Sequence, residues 1–304
     1  MSHTNAVPSP AAGPTEARGL VLGLIGVVIF GLTLPATRIA VAELDPVFVG
    51  LGRAIVAAGL AIVTLAIMRP PLPRGKDWWQ LAVTSAGVVI GFPLFASLAM
   101  LYAPASHGGV ILAILPLATA VASVIIAGER PSMGFWLCSI AGSATVLVFA
   151  WADGVGQSEV HWADLLLVAA IICAAIGYAQ GGVLSRTLGG WQVICWCLVV
   201  ALPVLVPVVA LWAGPINWDA SRDAWLGFLY VAICSQFLGF FAWNSGLAIG
   251  GVAKIGQLQL LQPFITLLGA AVLIGETITM LQIAFALAVV ALVALGRRMR
   301  VSQS

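Results

Sequence analysis

GVILAILPLATAVASVIIAGERPSM occupies residues 109–133, and GQLQLLQPFITLLGAAVLIGETITM occupies residues 256–280. An offset of 147 places Gly109 on Gly256, Pro116 on Pro263, Thr119 on Thr266, Gly128-Glu129 on Gly275-Glu276 and Met133 on Met280. Chance matches of glycine are common in apolar sequence. A proline, a threonine and a Gly-Glu pair in one register are not. Weaker echoes precede the two stretches, Gly91-Phe92 against Gly239-Phe240 and Ser97 against Ser245, and Gly177 echoes Gly31. The chain therefore repeats itself.

Working outward, the sequence resolves into ten apolar runs near 20–41, 47–68, 79–101, 104–127, 133–151, 163–185, 191–213, 224–247, 253–274 and 279–296. A helix needs about 20 apolar residues to cross the hydrocarbon of a bilayer. The joins are short, so no soluble domain is inserted. The repeat contains five spans, an odd number, so the second copy enters the membrane upside down. The expected fold is an all-α membrane protein of ten transmembrane helices in two inverted five-helix repeats. Residues 1–18 read as a disordered cytoplasmic tail, 19–152 as the first repeat, 153–298 as the second and 299–304 as a cytoplasmic tail. The run after Arg18 is too long for a signal peptide and is followed by many like it, so it reads as the first span. Inverted repeats are a hallmark of secondary transporters, whose halves meet at a midplane site and rock against each other.

Composition agrees with a bilayer as solvent. The chain is 62% hydrophobic and 8% charged, against roughly 25% charged in soluble domains. Nine of the eleven tryptophans fall near expected helix ends, where their amphipathic rings prefer the interface. Trp196 and Trp243 fall inside spans, and the belt does not explain them. With the N-terminus in the cytoplasm, ten of the thirteen Lys and Arg are cytoplasmic, which puts both termini inside a bacterial inner membrane. Arg53 lies within the second span, where it is expected to snorkel to the interface or to pair with Glu43 or Asp45.

The same inventory excludes several functions. A net charge of +2 leaves no nucleic-acid footprint. Cys138, Cys173, Cys195, Cys197 and Cys234 lie in apolar runs without a CxxC pair or metal-ligand spacing, so they read as packing residues and no metal is expected. Walker A, HExxH and GxSxG patterns are absent, and the three histidines, His3, His107 and His161, have no catalytic pairing. No enzyme activity and no cofactor are expected. No Asp or Glu falls in the middle of a span, which argues against proton coupling. Glu129 and Glu276 read as first-turn acids that favour a helix dipole.

The ten spans, the mid-helix Pro116 and Pro263, and the Gly128-Glu129 and Gly275-Glu276 junctions resemble the drug/metabolite transporter superfamily with two EamA-type repeats. The resemblance covers the chain after its tail. Within the superfamily the chain is similar to exporters of amino acids and other metabolites, including aromatic amino acids. It implies a central cavity lined by the first, third, fourth, sixth, eighth and ninth helices. The tryptophan usual near the first-helix glycine is absent. Phe30 precedes Gly31 instead, which argues against an aromatic clamp from that helix.

Polar and aromatic residues within the spans are the cavity candidates, because amides facing lipid would go unpaired. They are Gln257, Gln259 and Gln262 in the ninth span, Gln236, Phe240, Trp243 and Asn244 in the eighth, and Tyr178 and Gln180 in the sixth. Phe92 and Phe95 in the third span join them, with Thr33 and Thr37 in the first. Such a cavity suits a small zwitterion with an apolar side chain. Pro116 and Pro263 leave the carbonyls of Leu112 and Gln259 without a helical donor and are expected to act as hinges. The implied partners are a small-molecule substrate and the lipid bilayer. Oligomeric state stays open, and a monomer suffices. A membrane sensor or assembly subunit, or an intramembrane enzyme, are the other classes. The first would need an output domain and the second a buried catalytic constellation.

The topology is checked by labelling with a membrane-impermeant thiol reagent. Arg74→Cys is expected to react only from the cytoplasm and Ser158→Cys only from the opposite side. Reaction of both from one side contradicts the topology.

Overall fold

The computed structural model describes residues 14–152, 162–274, 280–297 and 301–303. Most of the 1–18 tail, His3, His161, Ser158 and the Gly275-Glu276 pair lie outside the described residues. So do Arg298, Met299, Arg300 and Ser304 near the C-terminus.

Ten helical segments follow one another: α1 (14–41), α2 (Phe48–Met68), α3 (Asp77–Tyr102), α4 (105–127), α5 (Met133–Ala152), α6 (Trp162–Leu188), α7 (Gly190–Trp212), α8 (Arg222–Gly250), α9 (252–274) and α10 (Met280–Arg297). Six of the described helices, α1, α2, α3, α6, α7 and α8, are long and apolar enough to cross a bilayer. Shorter apolar stretches, Leu112–Ala127, Met133–Val148 and Leu287–Gly296, lie in α4, α5 and α10.

Two departures concern the chain ends. The first helix starts at Pro14, inside the expected disordered tail. Proline is tolerated in a first helical turn, and Glu16 in that turn both suits the dipole and pairs with Lys254 at 3.5 Å. At the other terminus, Val301–Gln303 pairs antiparallel with Glu129–Pro131. The fold is therefore not purely helical.

Glycines bring the helices together. In hydrocarbon no hydrophobic drive joins two helices, so close packing and hydrogen bonds must do it. Gly19, Gly23 and Gly26 of α1 face Gly246, Gly250 and Trp243 of α8, and a Cβ on Gly246 would stand 2.8 Å from the Gly23 nitrogen. In the same way α3 meets α6: a Cβ on Gly87 would stand 2.5 Å from the Cys173 carbonyl oxygen. These are equivalent helix pairs, first against eighth and sixth against third.

Four of the backbone irregularities also recur in register, while the π turn Phe48–Gly52 of α2 has no counterpart in α7. Wide π turns occupy Ala86–Gly91 in α3 and Tyr230–Gly239 in α8, and 3-10 turns occupy Leu112–Ile114 in α4 and Gln257–Leu261 in α9. The expectation that Pro116 and Pro263 strand two carbonyls is corrected here. The Leu115 N–H donates to Leu112, and the Gln262 N–H donates to Gln259. Tightening to i→i+3 supplies the donor that proline removes.

Pro35 creates the same problem in α1, since it has no N–H for the Gly31 carbonyl. There the solution is a side chain from the other repeat: the Thr266 hydroxyl donates to the Gly31 oxygen at 2.6 Å. Thr119 is its counterpart by the 147 offset, but Gly182 stands where a second Pro35 would be, and α6 runs unbroken. The Thr119 hydroxyl, fully buried, accordingly has no partner.

This asymmetry is testable by thermal unfolding in detergent. Thr266→Val orphans a buried carbonyl and is expected to cost about 1–3 kcal/mol. Thr119→Val removes an unpaired hydroxyl and is expected to be neutral or stabilising. Equal losses for the two variants contradict the assignment.

Candidate functional site

A narrow cavity lies where α1, α2, α3, α6, α8 and α9 converge, closed down to about 10 Å³, room for little more than a water molecule. Its wall mixes aromatic rings with polar groups. Phe30, Phe92, Tyr178 and Phe240 supply rings. Thr33, Ser235, Gln236, Gln262 and Arg53 supply polar groups, and Val88 completes the wall.

The rings form one cluster. Phe30 stacks on Tyr178 with centroids 6.2 Å apart and planes 9° from parallel, and its centroid is 5.0 Å from Phe240. Trp243 stands behind them, edge-on to Tyr178 at 5.3 Å and to Phe30 at 5.9 Å. Such offset and edge-to-face contacts favour a rigid aromatic wall. The first helix does contribute an aromatic: Phe30 sits at the centre of the cluster, contrary to the sequence expectation.

The polar residues are positioned by hydrogen bonds between helices. The Thr33 and Ser235 hydroxyls lie 2.8 Å apart, and the Gln236 amide donates to the Val88 carbonyl at 3.2 Å. Of the residues named from sequence, Thr33, Phe92, Tyr178, Gln236 and Gln262 meet at the cavity, while Phe95, Trp243, Asn244, Gln257 and Gln259 are not on its wall. Asn244 donates to the Gly190 carbonyl at 3.4 Å, and Gln257 donates to the Ser139 hydroxyl at 2.8 Å. Gln259 is buried with both amide atoms unpartnered, one turn before Pro263.

Arg53 departs furthest from expectation. It neither snorkels nor pairs with Glu43 or Asp45. It is 2% exposed, lines the cavity, and its Nε is buried without a partner. Asp45 is engaged elsewhere, accepting the Val47 and Phe48 N–H groups at 2.9 Å as the cap of α2. The sequence signal is a lone arginine inside a span, a pattern that also marks interior sites facing a cavity.

Two glutamates close the ends of the molecule. At the end where α1 begins, the buried Glu129 carboxylate accepts the Val252 N–H at 2.8 Å and the Ala253 N–H at 2.7 Å, and pairs with Arg186 at 3.2 Å. It caps α9, a helix of the other half, rather than the dipole of its own neighbour. Gly251, at φ +85°, brings that helix end within reach. At the end where α1 finishes, Glu43 accepts the Ser221 hydroxyl at 2.5 Å and the Ser221 N–H at 2.7 Å, tying the α1–α2 join to the start of α8. The Ser221 hydroxyl and then its backbone N–H hold the Glu43 carboxyl below the usual carboxylate range.

Comparison with known proteins places this architecture. Residues 17–151 and 161–296 each match the profile of the EamA-like transporter family. The chain is similar to YdeK of Bacillus subtilis, described as an uncharacterized transporter, with 44% identity over 281 residues covering 92% of this chain and 97% of the relative. It is also similar to the aromatic amino acid exporter YddG of Ancylobacter novellus, with 28% identity over 220 residues covering 70% of this chain and 72% of that one. A solved crystal structure matches the fold at a TM-score of 0.72 and 19% identity, covering 92% of this chain and 96% of its own.

The exposed latch is pH-sensitive in a defined direction. Because folding depresses the Glu43 pKa, its contribution is present above the ordinary carboxylate pKa and is lost as pH falls through the depressed value. Hydrogen exchange at 217–223 is expected to accelerate at acidic pH, and Glu43→Gln is expected to show the fast rate at neutral pH. Protection unchanged by pH and by the variant contradicts the latch.

Proposed function

Because the chain belongs to the EamA-like transporter family, and so is an integral membrane transporter and not an enzyme, we propose that it exports small metabolites by alternating access through the central cavity. The substrates are amino acids with neutral or aromatic side chains, or related compounds. On this reading all ten helices span the bacterial inner membrane, the two five-helix halves are inverted, and both termini are cytoplasmic. One observation carries the proposal: an amphipathic cavity between helices of both halves, with a separate latch at each end.

Alternating access requires that one latch open while the other holds. The two are unequal. Glu129 is buried, satisfies two helix N–H groups and pairs with a cation, and removing one partner of such a set costs about 3–5 kcal/mol. Glu43 lies in water, where ion and hydrogen-bond pairs are screened and contribute little. The Glu43 end opens more readily, so the empty transporter favours the outward-facing form. Substrate entry from the cytoplasm must therefore disrupt the Glu129 set.

The 3-10 turns before Pro116 and Pro263 are the pivots. Each has exchanged α-helical bonds for strained i→i+3 bonds, so bending there breaks less than bending a regular helix. Pro116→Ala and Pro263→Ala restore an N–H and allow the helix to straighten. Flux of radiolabelled phenylalanine from proteoliposomes is expected above that of empty liposomes. The double proline variant is expected to slow it about tenfold while equilibrium binding stays within about twofold. Flux at background for the unmodified protein, across a panel of amino acids and related carboxylates, contradicts the transport reading. Unchanged flux in the double variant removes the prolines as pivots.

A further inference from the structure

We infer that Arg53 anchors the carboxylate of the transported molecule, and that the cavity favours apolar or aromatic organic monoanions over zwitterions of the same shape. The inference rests on the cavity being the transport site and names what that site selects.

The argument begins with an electrostatic imbalance. Arg53 follows the π turn Phe48–Gly52 in α2 and lies on the cavity wall with the aromatic rings. It is among the largest fully buried side chains, and among the described residues it has no ion pair and no hydrogen bond. A guanidinium does not shed its proton under physiological conditions, so burial cannot neutralise it. No aspartate or glutamate lines the cavity. An uncompensated buried ion is costly, and such groups in membrane interiors mark ligand or ion sites.

Elsewhere among the described residues, buried charge is met. Glu129 has two N–H donors and Arg186. Among the described residues, Arg53 is the buried charge left without a partner, and it lies on the cavity wall. The complement of a planar guanidinium fork is a carboxylate, which it binds through two parallel hydrogen bonds. The neighbouring Phe30, Phe92, Tyr178 and Phe240 fit the apolar remainder of such a molecule.

Charge then decides between ligand classes. A monocarboxylate brings the cavity to neutrality. A zwitterion adds an ammonium that repels Arg53 and finds only neutral acceptors, hydroxyls and amides, on the wall. A primary amine is repelled outright. A neutral alcohol leaves the arginine uncompensated. The expected order of affinity is carboxylate, then amino acid, then alcohol and amine.

The empty protein carries a second consequence. If Arg53 serves a ligand rather than the fold, replacing it by an apolar residue of similar length relieves the uncompensated charge. Arg53→Met is then more stable than the unmodified protein when no ligand is present, the opposite of a structural arginine.

The test uses full-length protein in detergent, with equilibrium binding of phenylpropionate, phenylalanine, phenylpropanol and phenethylamine, beside thermal unfolding of the empty protein. Phenylpropionate is expected to bind at least tenfold tighter than phenylalanine. Arg53→Met is expected to weaken phenylpropionate on the order of a hundredfold, to leave phenylpropanol within about threefold, and to raise the melting temperature. Arg53→Lys is expected to keep part of the carboxylate affinity. Phenylpropionate binding unchanged in Arg53→Met, or a lowered melting temperature with the discrimination intact, overturns the anchor while leaving transport standing. Phenylalanine or phenethylamine binding as tightly as phenylpropionate overturns the assigned class. A protein that binds none of the four probes and gives background flux overturns the transport site itself.

Discussion

Every backbone N–H and C=O placed in hydrocarbon must find a partner within the protein, and this structure is arranged around that requirement. Several prolines delete a donor from a helix interior, Pro203 and Pro207 in α7 among them, and three of them, Pro35, Pro116 and Pro263, show how the gap is met. Two of the resulting gaps are closed locally by 3-10 turns. The third is closed from a distance, by Thr266 of α9 on Gly31 of α1. That bond keys an irregularity in one half to a side chain in the other. The free N–H groups at the start of α9 are met in the same manner, by Glu129 from the first half. Backbone groups left over by one repeat are thus satisfied by the other, and the contacts between halves are polar at a few defined points on a field of glycine and apolar packing.

Side-chain donors are met less completely than the backbone, and one of the unmet groups is a charge at the cavity. Arg53 Nε has no partner at the cavity, nor has the indole N–H of Trp243 behind it. Unpaired buried donors are disfavoured in the empty state, and binding that satisfies them gains what the empty site lacks. A cavity closed to about 10 Å³ when empty also has to widen around a substrate. Glycine seams permit this: helices held by backbone contact slide without the loss of interlocked side chains. The unequal latches then set which end yields first.

Much of the fold was legible in the sequence because its signals are long and periodic. Ten apolar runs mark the helices to within a few residues, and the offset of Pro116 on Pro263 and Thr119 on Thr266 marks the repeat. The site was legible only in part. Residue type finds Tyr178, Gln236 and Gln262, since polar groups at depth need partners. It misleads at Asn244 and Gln257, whose amides pin neighbouring helices instead. Phe30 stands where a tryptophan is expected, and ring packing accepts either. Arg53 was misplaced because a linear sequence shows depth along a helix but not the face that a π turn presents. Glu129 was correctly tied to a helix dipole, but to the wrong helix, because the partner lies over 120 residues away in sequence.

The central claim is that the Glu129 end and the Glu43 end open in alternation around one cavity. Pairs of spin labels report this directly, Ala42 with Asp219 across one end and Arg130 with Ile249 across the other, all on side chains exposed at the surface. Distances are measured in lipid nanodiscs with and without a transported ligand. The account predicts that ligand shifts the two distance distributions in opposite senses, one lengthening as the other shortens. Both distances lengthening together, or neither changing while flux is present, would contradict it.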